Sequence, residues 1–286
     1  MCDLVRARWW TGRCAVVTAA ALVTTLVGPG AAMAQIPASA KLPDLVTMIP
    51  QQLQIVNPAK GSKRELLRFS NGIANIGDGP WRMRPEFPAL DPSQPQTAIQ
   101  ELLDSTDSSG DIAYEAMVSQ FEFHPEHNHW HIDGVALYEV RVSNGLLDPG
   151  DSDIGPVVGG NAIKTTFCLI DWVRLEGSSN NGKNTDRVYW DCFGSHQGIS
   201  VGWADQYHHA TDGQELDLSG LAEGRYYLVS TANADRVFLE KNYKNNRAWV
   251  AFSLIRLSQG NAKLVVVGDS FSIAKEGLSP AYTTNR

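Results

Sequence analysis

The run GVALYEVRV, residues 134–142, carries the pattern that decides the fold class. Val135, Leu137, Glu139 and Arg141 alternate with Ala136, Tyr138, Val140 and Val142, so one side of the segment is more apolar than the other. A period of two is that of a strand, whose successive side chains point to opposite faces of a sheet. Working outward, similar β-branched and aromatic runs bounded by Gly, Asn, Asp and Pro recur. They are RELLRFSNGIANIG (64–77), EAMVSQFEF (115–123), IKTTFCLIDWVRL (163–175), RVYWDCF (187–193), GRYYLVSTA (224–232), RAWVAFSLIRL (247–257) and AKLVVVG (262–268). Together they predict a mostly β, antiparallel, sandwich-like domain with long loops and little helix. The segments 143–161 and 176–187, rich in Gly, Asn, Ser and Asp, read as surface loops, and only TAIQELLDS (97–105) reads as a short helix. KEGLSPAYTTNR, the last dozen residues, reads as a loose tail from about 275.

The start of the chain has another character. Arg6, Arg8 and Arg13 precede an apolar run from Ala15 to Val27, and Ala32-Met33-Ala34 is a small-residue cleavage pattern. Residues 1–34 therefore read as a secretory signal peptide, cleaved near Ala34, with residues 35–286 as one exported domain, secreted or held in the periplasm or at the cell surface. The apolar run is shorter than the roughly 20 residues that cross a bilayer, and no later segment is longer, so no membrane span is expected. The whole chain carries a formal charge of −7, and loss of the leader removes three Arg and one Asp. An acidic balance argues against nucleic acid as a partner and suits cationic substrates. Two of the four cysteines leave with the leader, and Cys168 and Cys192 remain. An even count in an exported chain points to a disulfide closing a loop of about 25 residues, worth roughly 3 kcal/mol; two buried thiols are the alternative.

The chemistry concentrates in FEFHPEHNHWH (121–131), which holds His124, His127, His129 and His131, four of the seven histidines. Imidazole is the commonest metal ligand, and His127-x-His129-x-His131 has the spacing of one strand face. On a flat strand the outer two Cβ atoms would stand about 13 to 14 Å apart. Two imidazoles on one metal span at most about 11 Å, so the segment must bend, with Pro125, Asn128 and Asp133-Gly134 supplying the irregularity. An all-imidazole set without thiolate suits copper or zinc first, then iron or nickel, rather than calcium or magnesium. A cupin-type site would need a glutamate shortly after the histidines, and Asp133 is the nearest carboxylate. Separately, Glu240-x-Asn242-x-x-Asn245-Asn246 with Asp44 offers hard oxygen ligands of the kind calcium takes; an ion-free Asn-rich turn is the alternative.

The histidine segment resembles the copper-binding segment of the lysyl oxidase family, with FEF in place of the aromatic-Glu-aromatic lead-in and His127, His129 and His131 matching the three copper ligands. PDLV (43–46), LLRFSNGIANIGDG (66–79), KTTFCL (164–169), DCFGSHQGIS (191–200), GWADQYHHATDGQELDLSGLAEGRYYL (202–228) and FLEKNYKNNRA (238–248) follow in the family's order. The resemblance implies copper and a lysine tyrosylquinone made from Lys164 and Tyr207, with oxidative deamination of primary amines by molecular oxygen. The products would be an aldehyde, hydrogen peroxide and ammonia. It also implies calcium on Asp44, the backbone oxygen of Leu45, Glu240, Asn242, Asn245 and Asn246, with Asn242 standing where the family has a carboxylate. Asp205, His209 and Asp133 are the candidate bases. Two departures stand out: Leu137 falls about where the family has a further histidine, and Glu126 where animal members have a cysteine beside the copper ligands. Cys168 and Cys192 match two other family cysteines, and their bridge would tether the segment after Lys164 to that leading to Tyr207. The leader is bacterial in style, so the expected substrate is a small primary amine or a lysine-bearing exported protein. A non-catalytic copper- or zinc-binding β module is the rival reading, followed by a hydrolase or oxygenase using the same histidines.

Overall fold

The structure, a computed structural model, describes residues 36–59, 63–88, 91–125, 127–143, 154–175, 186–193, 196–258 and 260–270; of residues 159–165 it describes the backbone. The expected leader, the expected tail and Glu126 lie outside these residues, as does much of the two expected loops. The described residues form fifteen strands and no helix. In order they are β1 Leu45–Thr47, β2 Gln51–Val56, β3 Leu66–Asn75, β4 Trp81–Pro85, β5 Gln96–Leu103, β6 Ile112–His124, β7 His129–Val142 and β8 Val157–Phe167. There follow β9 Val173–Arg174, β10 Gln197–Ile199, β11 Trp203–Tyr207, β12 Glu215–Asp217, β13 Gly224–Ala232, β14 Arg247–Arg256 and β15 Ala262–Asp269.

All the pairings are antiparallel, as expected. One sheet has six strands with β3 at its centre, where β1, β2, β11 and β12 all pair. The other has nine, in the order β10-β4-β5-β6-β7-β13-β14-β15, with β8 also on β7. Their inner faces share one core: Phe69 of β3 meets Tyr138 of β7 edge to face at 4.9 Å, within a cluster that includes Leu45, Leu67, Leu228, Val250 and Phe252. Asn71 ties the layers by polar contacts as well, its side-chain oxygen accepting from Tyr138, Thr47 and Ser230. Such a knot is stable in a core because the buried oxygen is satisfied.

The alternation in GVALYEVRV holds in part from Ala136 to Arg141, with Glu139 also buried and Val142 exposed at the strand end. Ala136, Tyr138 and Val140 enter the core, while Leu137 and Arg141 stay half-buried on the outer face. Val135 departs from the pattern and is fully buried. The pairing with β8 shifts between Ile132 and Ala136, and Gly134 sits at φ 76°, so a bulge resets the phase at this point.

Three expectations are corrected. TAIQELLDS forms no helix: most of it lies in β5, between β4 and β6. Its Gln, Glu and Leu are good helix formers, but Gln100 and Glu101 are buried by partners distant in sequence, and tertiary packing overrides propensity. RVYWDCF forms no strand, because the Val188 and Tyr189 N–H groups donate to the Asp171 carboxylate at 2.9 and 3.2 Å rather than to a ladder. The expected loop 143–161 also ends early, since β8 begins at Val157.

Candidate metal centre and tyrosine site

The bend that the histidine spacing demands is a hairpin turn. β6 ends at His124, β7 begins at His129, and these two residues are paired. Pro125, His127 and Asn128 lie in the turn between them, with the His127 N–H donating to the His124 carbonyl at 3.1 Å and Asn128 at φ 54°, a left-handed conformation that Asn tolerates well. His127 therefore sits in the turn and only His129 and His131 lie on the strand, which closes the reach that a flat strand leaves open.

Two imidazoles, those of His127 and His129, reach the Nε2 of His131. His131 Nε2 is 3.2 Å from His127 Nδ1 and 2.9 Å from His129 Nε2. Ligand nitrogens on a tetrahedral ion with bonds of about 2.0–2.1 Å stand roughly 3.3 Å apart, so these separations fit a shared metal. His131 is held from behind, because its Nδ1 meets the Thr166 hydroxyl at 3.0 Å, which leaves Nε2 facing the other rings. His124 stacks on His131 at 4.2 Å and reaches the same hydroxyl through its Nε2 at 3.1 Å. His124, His127 and His131 also offer nitrogens all within 4.8 Å of one another, so His124 is close enough to assist. Burial, with the neighbouring imidazoles, pushes His131 down to about 2, and burial also lowers His129. Both shifts favour the neutral ring, the form that donates a lone pair to a metal.

Tyr207 ends β11 next to this cluster. Its hydroxyl donates to the Cys168 carbonyl at 2.8 Å, and its ring lies 4.0 Å from that of Phe167. Cys168 and Cys192 form the expected disulfide, with Cα atoms 5.6 Å apart. Tyr207 lines two cavities. The one of about 170 Å³ is shared with His124, His127, His131 and Thr166; the other, about 380 Å³, has His127, His129, the disulfide, Ile170, Trp172 and Asp205 in its walls. Burial raises the phenol well above its ordinary range, and the adjacent Asp205 carboxyl adds to the effect. Asp205 is only 3% exposed, and burial raises it well above the usual carboxylate range although the Gln206 and Ile170 amides donate to it. Its Oδ2 is buried without a hydrogen-bond partner among the described residues.

The other expected residues fall in different places. Lys164 lies in β8 directly across from Leu137 of β7. His209 is held by Gln52, Gln54 and Ser70, and Asp133 accepts from Ser119 through its backbone oxygen; neither lines the two cavities around Tyr207. Thr166 and Trp172 were not singled out from sequence. Thr166 stands inside the quoted KTTFCL motif, two residues after Lys164, which was the available signal.

The second ion site gathers most of its expected members. Asn245 donates to Asp44 at 2.8 Å, and Glu240 accepts from Asn246 at 2.7 Å, from Asn233 at 2.6 Å and from the Leu45 N–H at 3.0 Å. The side-chain oxygens of Asn245 and Asn246 are buried without a partner, and burial pushes Glu240 up to about 7. Two unanswered amide oxygens beside two carboxyls fit a hard cation such as calcium. Asn242 is spent locally, accepting from the Lys244 N–H at 3.1 Å.

The comparisons with known proteins agree with this geometry. The family model described as lysyl oxidase matches residues 106–258, more than half of the chain. Zebrafish (Danio rerio) lysyl oxidase homolog 3A is 28% identical over 186 residues, covering 64% of this chain and 18% of that protein. Lysyl oxidase homolog 2A of the same species is 27% identical, covering 65% and 19%, and human lysyl oxidase homolog 3 is 26% identical, covering 64% and 18%. The chain thus spans less than a fifth of the length of these relatives. With the match extending across the histidine hairpin, the disulfide and Tyr207, the chain belongs to the lysyl oxidase family.

Proposed function

We propose that this protein is an exported copper amine oxidase that builds its own quinone from Lys164 and Tyr207. The observation that carries the reading is the approach of His127 Nδ1 and His129 Nε2 to His131 Nε2, beside two cavities that Tyr207 lines together with members of this set. His127, His129 and His131 would hold copper, with His124 and the Thr166 hydroxyl setting the orientation of His131. When bound, copper and the quinone would supply an electrophilic carbonyl for the amine and a path for electrons to oxygen.

The chain's own groups divide the remaining work. The disulfide, Ile170 and Trp172 wall the larger cavity and shield an entering amine from water. Asp205 is the proton acceptor best supported, because its carboxyl lines the same cavity and interacts with the Tyr207 hydroxyl. His209 and Asp133 have less support, since they are engaged elsewhere. A metal-holding β module without catalysis would account for the imidazoles but not for a buried carboxyl placed beside Tyr207. The substrate is a primary amine, free or on a lysine side chain, with molecular oxygen as acceptor; calcium on the Asp44–Glu240 cluster is structural. No described helix is long and apolar enough to cross a membrane.

The experiment is peroxide release from a simple alkyl amine by copper-loaded protein in air. Activity with copper, lost in zinc-loaded protein and in His131→Ala, is the expected result. Equal peroxide from the zinc form, or none from the copper form, would contradict the proposal.

A further inference from the structure

The larger cavity beside Tyr207, about 380 Å³, falls in the range of small-molecule sites, roughly 300–1,000 Å³. Its walls carry little charge. Among the described lining residues Asp205 is the only carboxyl, and neither Lys nor Arg stands with it. Two other acids lie close in sequence to lining residues. Asp212 borders the smaller cavity and not this one, and the Asp191 carboxylate, also outside the lining, accepts from the Phe193 N–H at 2.8 Å. One ammonium therefore meets one carboxyl on these walls, and a second ammonium meets none.

Much of the remaining wall is apolar or aromatic: Ile170, Trp172, the Cys168–Cys192 bridge and Tyr207. The aromatic surface continues outward. Phe193 follows Cys192 in the chain, its ring meets that of His129 edge to face at 6.2 Å, and it is 67% exposed. A phenyl ring in water next to a lining residue is area that an apolar ligand can cover.

A cation already stands at this wall. Arg187 is exposed, and its guanidinium lies 5.4 Å over the Trp172 ring. The backbone that carries it is pinned, since the Val188 and Tyr189 amides both donate to Asp171. The ring attracts the guanidinium, and like charges repel, so a second ammonium on a ligand would meet an opposing charge beside Trp172.

We propose that the larger cavity selects monoamines with an apolar, aromatic body over diamines, and that Trp172, Phe193 and Arg187 determine the choice. The amine end goes to Asp205 and Tyr207, while the body lies along Ile170, Trp172 and the disulfide and reaches Phe193. The inference rests on the amine-oxidase reading for the identity of the amine end, and adds to it which amines fit.

The test is calorimetric titration of the full-length protein, freed of copper by a chelator, with phenethylamine and with the diamine putrescine. Phenethylamine should bind with a Kd below about 1 mM and about tenfold more tightly than putrescine. Phe193→Ser should weaken phenethylamine about fivefold, and Arg187→Gln should strengthen putrescine about threefold, both with unchanged melting temperature because the two residues are exposed. Equal affinities for the two amines, no binding of phenethylamine at about 10 mM, or a preference unmoved by both substitutions together would overturn the proposal. Titration without copper separates this result from catalysis. Selective binding of phenethylamine that the copper-loaded protein never oxidises would sink the oxidase reading and keep the cavity assignment.

Discussion

The Tyr207 hydroxyl donates its proton to the carbonyl oxygen of Cys168, a residue that is itself bridged to Cys192. The Cys192 carbonyl in turn accepts from the N–H of Trp130, which stands between His129 and His131 on β7. Tyrosine, disulfide and histidine hairpin are therefore one mechanically linked unit. Lys164 stands on β8 three residues before Phe167, whose ring packs on Tyr207.

Removing the disulfide should loosen that unit. The double variant Cys168→Ser, Cys192→Ser is expected to lose about 3 kcal/mol of unfolding free energy, since the bridge closes a loop of separation 24. Urea denaturation of the two proteins side by side measures the loss, and equal midpoints would contradict it.

Thr166 should matter to the metal without being a ligand. Its hydroxyl holds His131 Nδ1 and His124 Nε2, so Thr166→Val leaves both nitrogens without that partner. Copper affinity is expected to fall about 10- to 100-fold with the fold intact. Competition against a chelator of known affinity reads the change, and an undiminished affinity would show that the hydroxyl does not orient the ring.

The acid stability of the domain should depend on Glu101. Burial raises this carboxyl, but the hydrogen bond from His196 and the charges of Arg82 and Arg84 outweigh it, and the folded group titrates below its ordinary range. Its contribution is therefore complete above the unfolded carboxylate pKa and is lost as pH falls through the folded value. Glu101→Ala should cost about 3 kcal/mol near neutral pH by leaving the two arginines without their buried partner. The difference from wild type should shrink in acid, and a difference constant from neutral to acid pH would refute the assignment.

Calcium should stabilise the fold through the Asp44–Glu240 cluster. At a hundredfold excess over Kd the gain is about 2.7 kcal/mol, visible as a raised melting temperature that a chelator reverses. Glu240→Gln should abolish the response, because Glu240 has the most deeply buried carboxylate of the set. A calcium response retained in that variant would place the ion elsewhere.

The contrast between legible and hidden features is physical. Alternation at Ala136, Tyr138 and Val140 marks β7 because these side chains go where their hydrophobicity sends them. β5 was hidden because Gln100 and Glu101 enter the interior on the strength of Leu239, Arg82 and Arg84, which local sequence does not bring together. Val135 was misphased by a bulge whose only trace is Gly134. At the metal centre the spacing of the histidines required a bend, and the turn at Asn128 provides it. What no spacing could reveal is that Thr166 from β8 would stand behind His131, or that Asp205 would be buried beside the Tyr207 hydroxyl.

The most direct test of the central claim is peptide mass spectrometry of copper-loaded protein held in air. The account predicts one cross-linked species joining the peptide that contains Lys164 to the peptide that contains Tyr207, trapped by phenylhydrazine at the quinone. Recovery of both peptides separate and unmodified, from protein shown to hold copper, would contradict it.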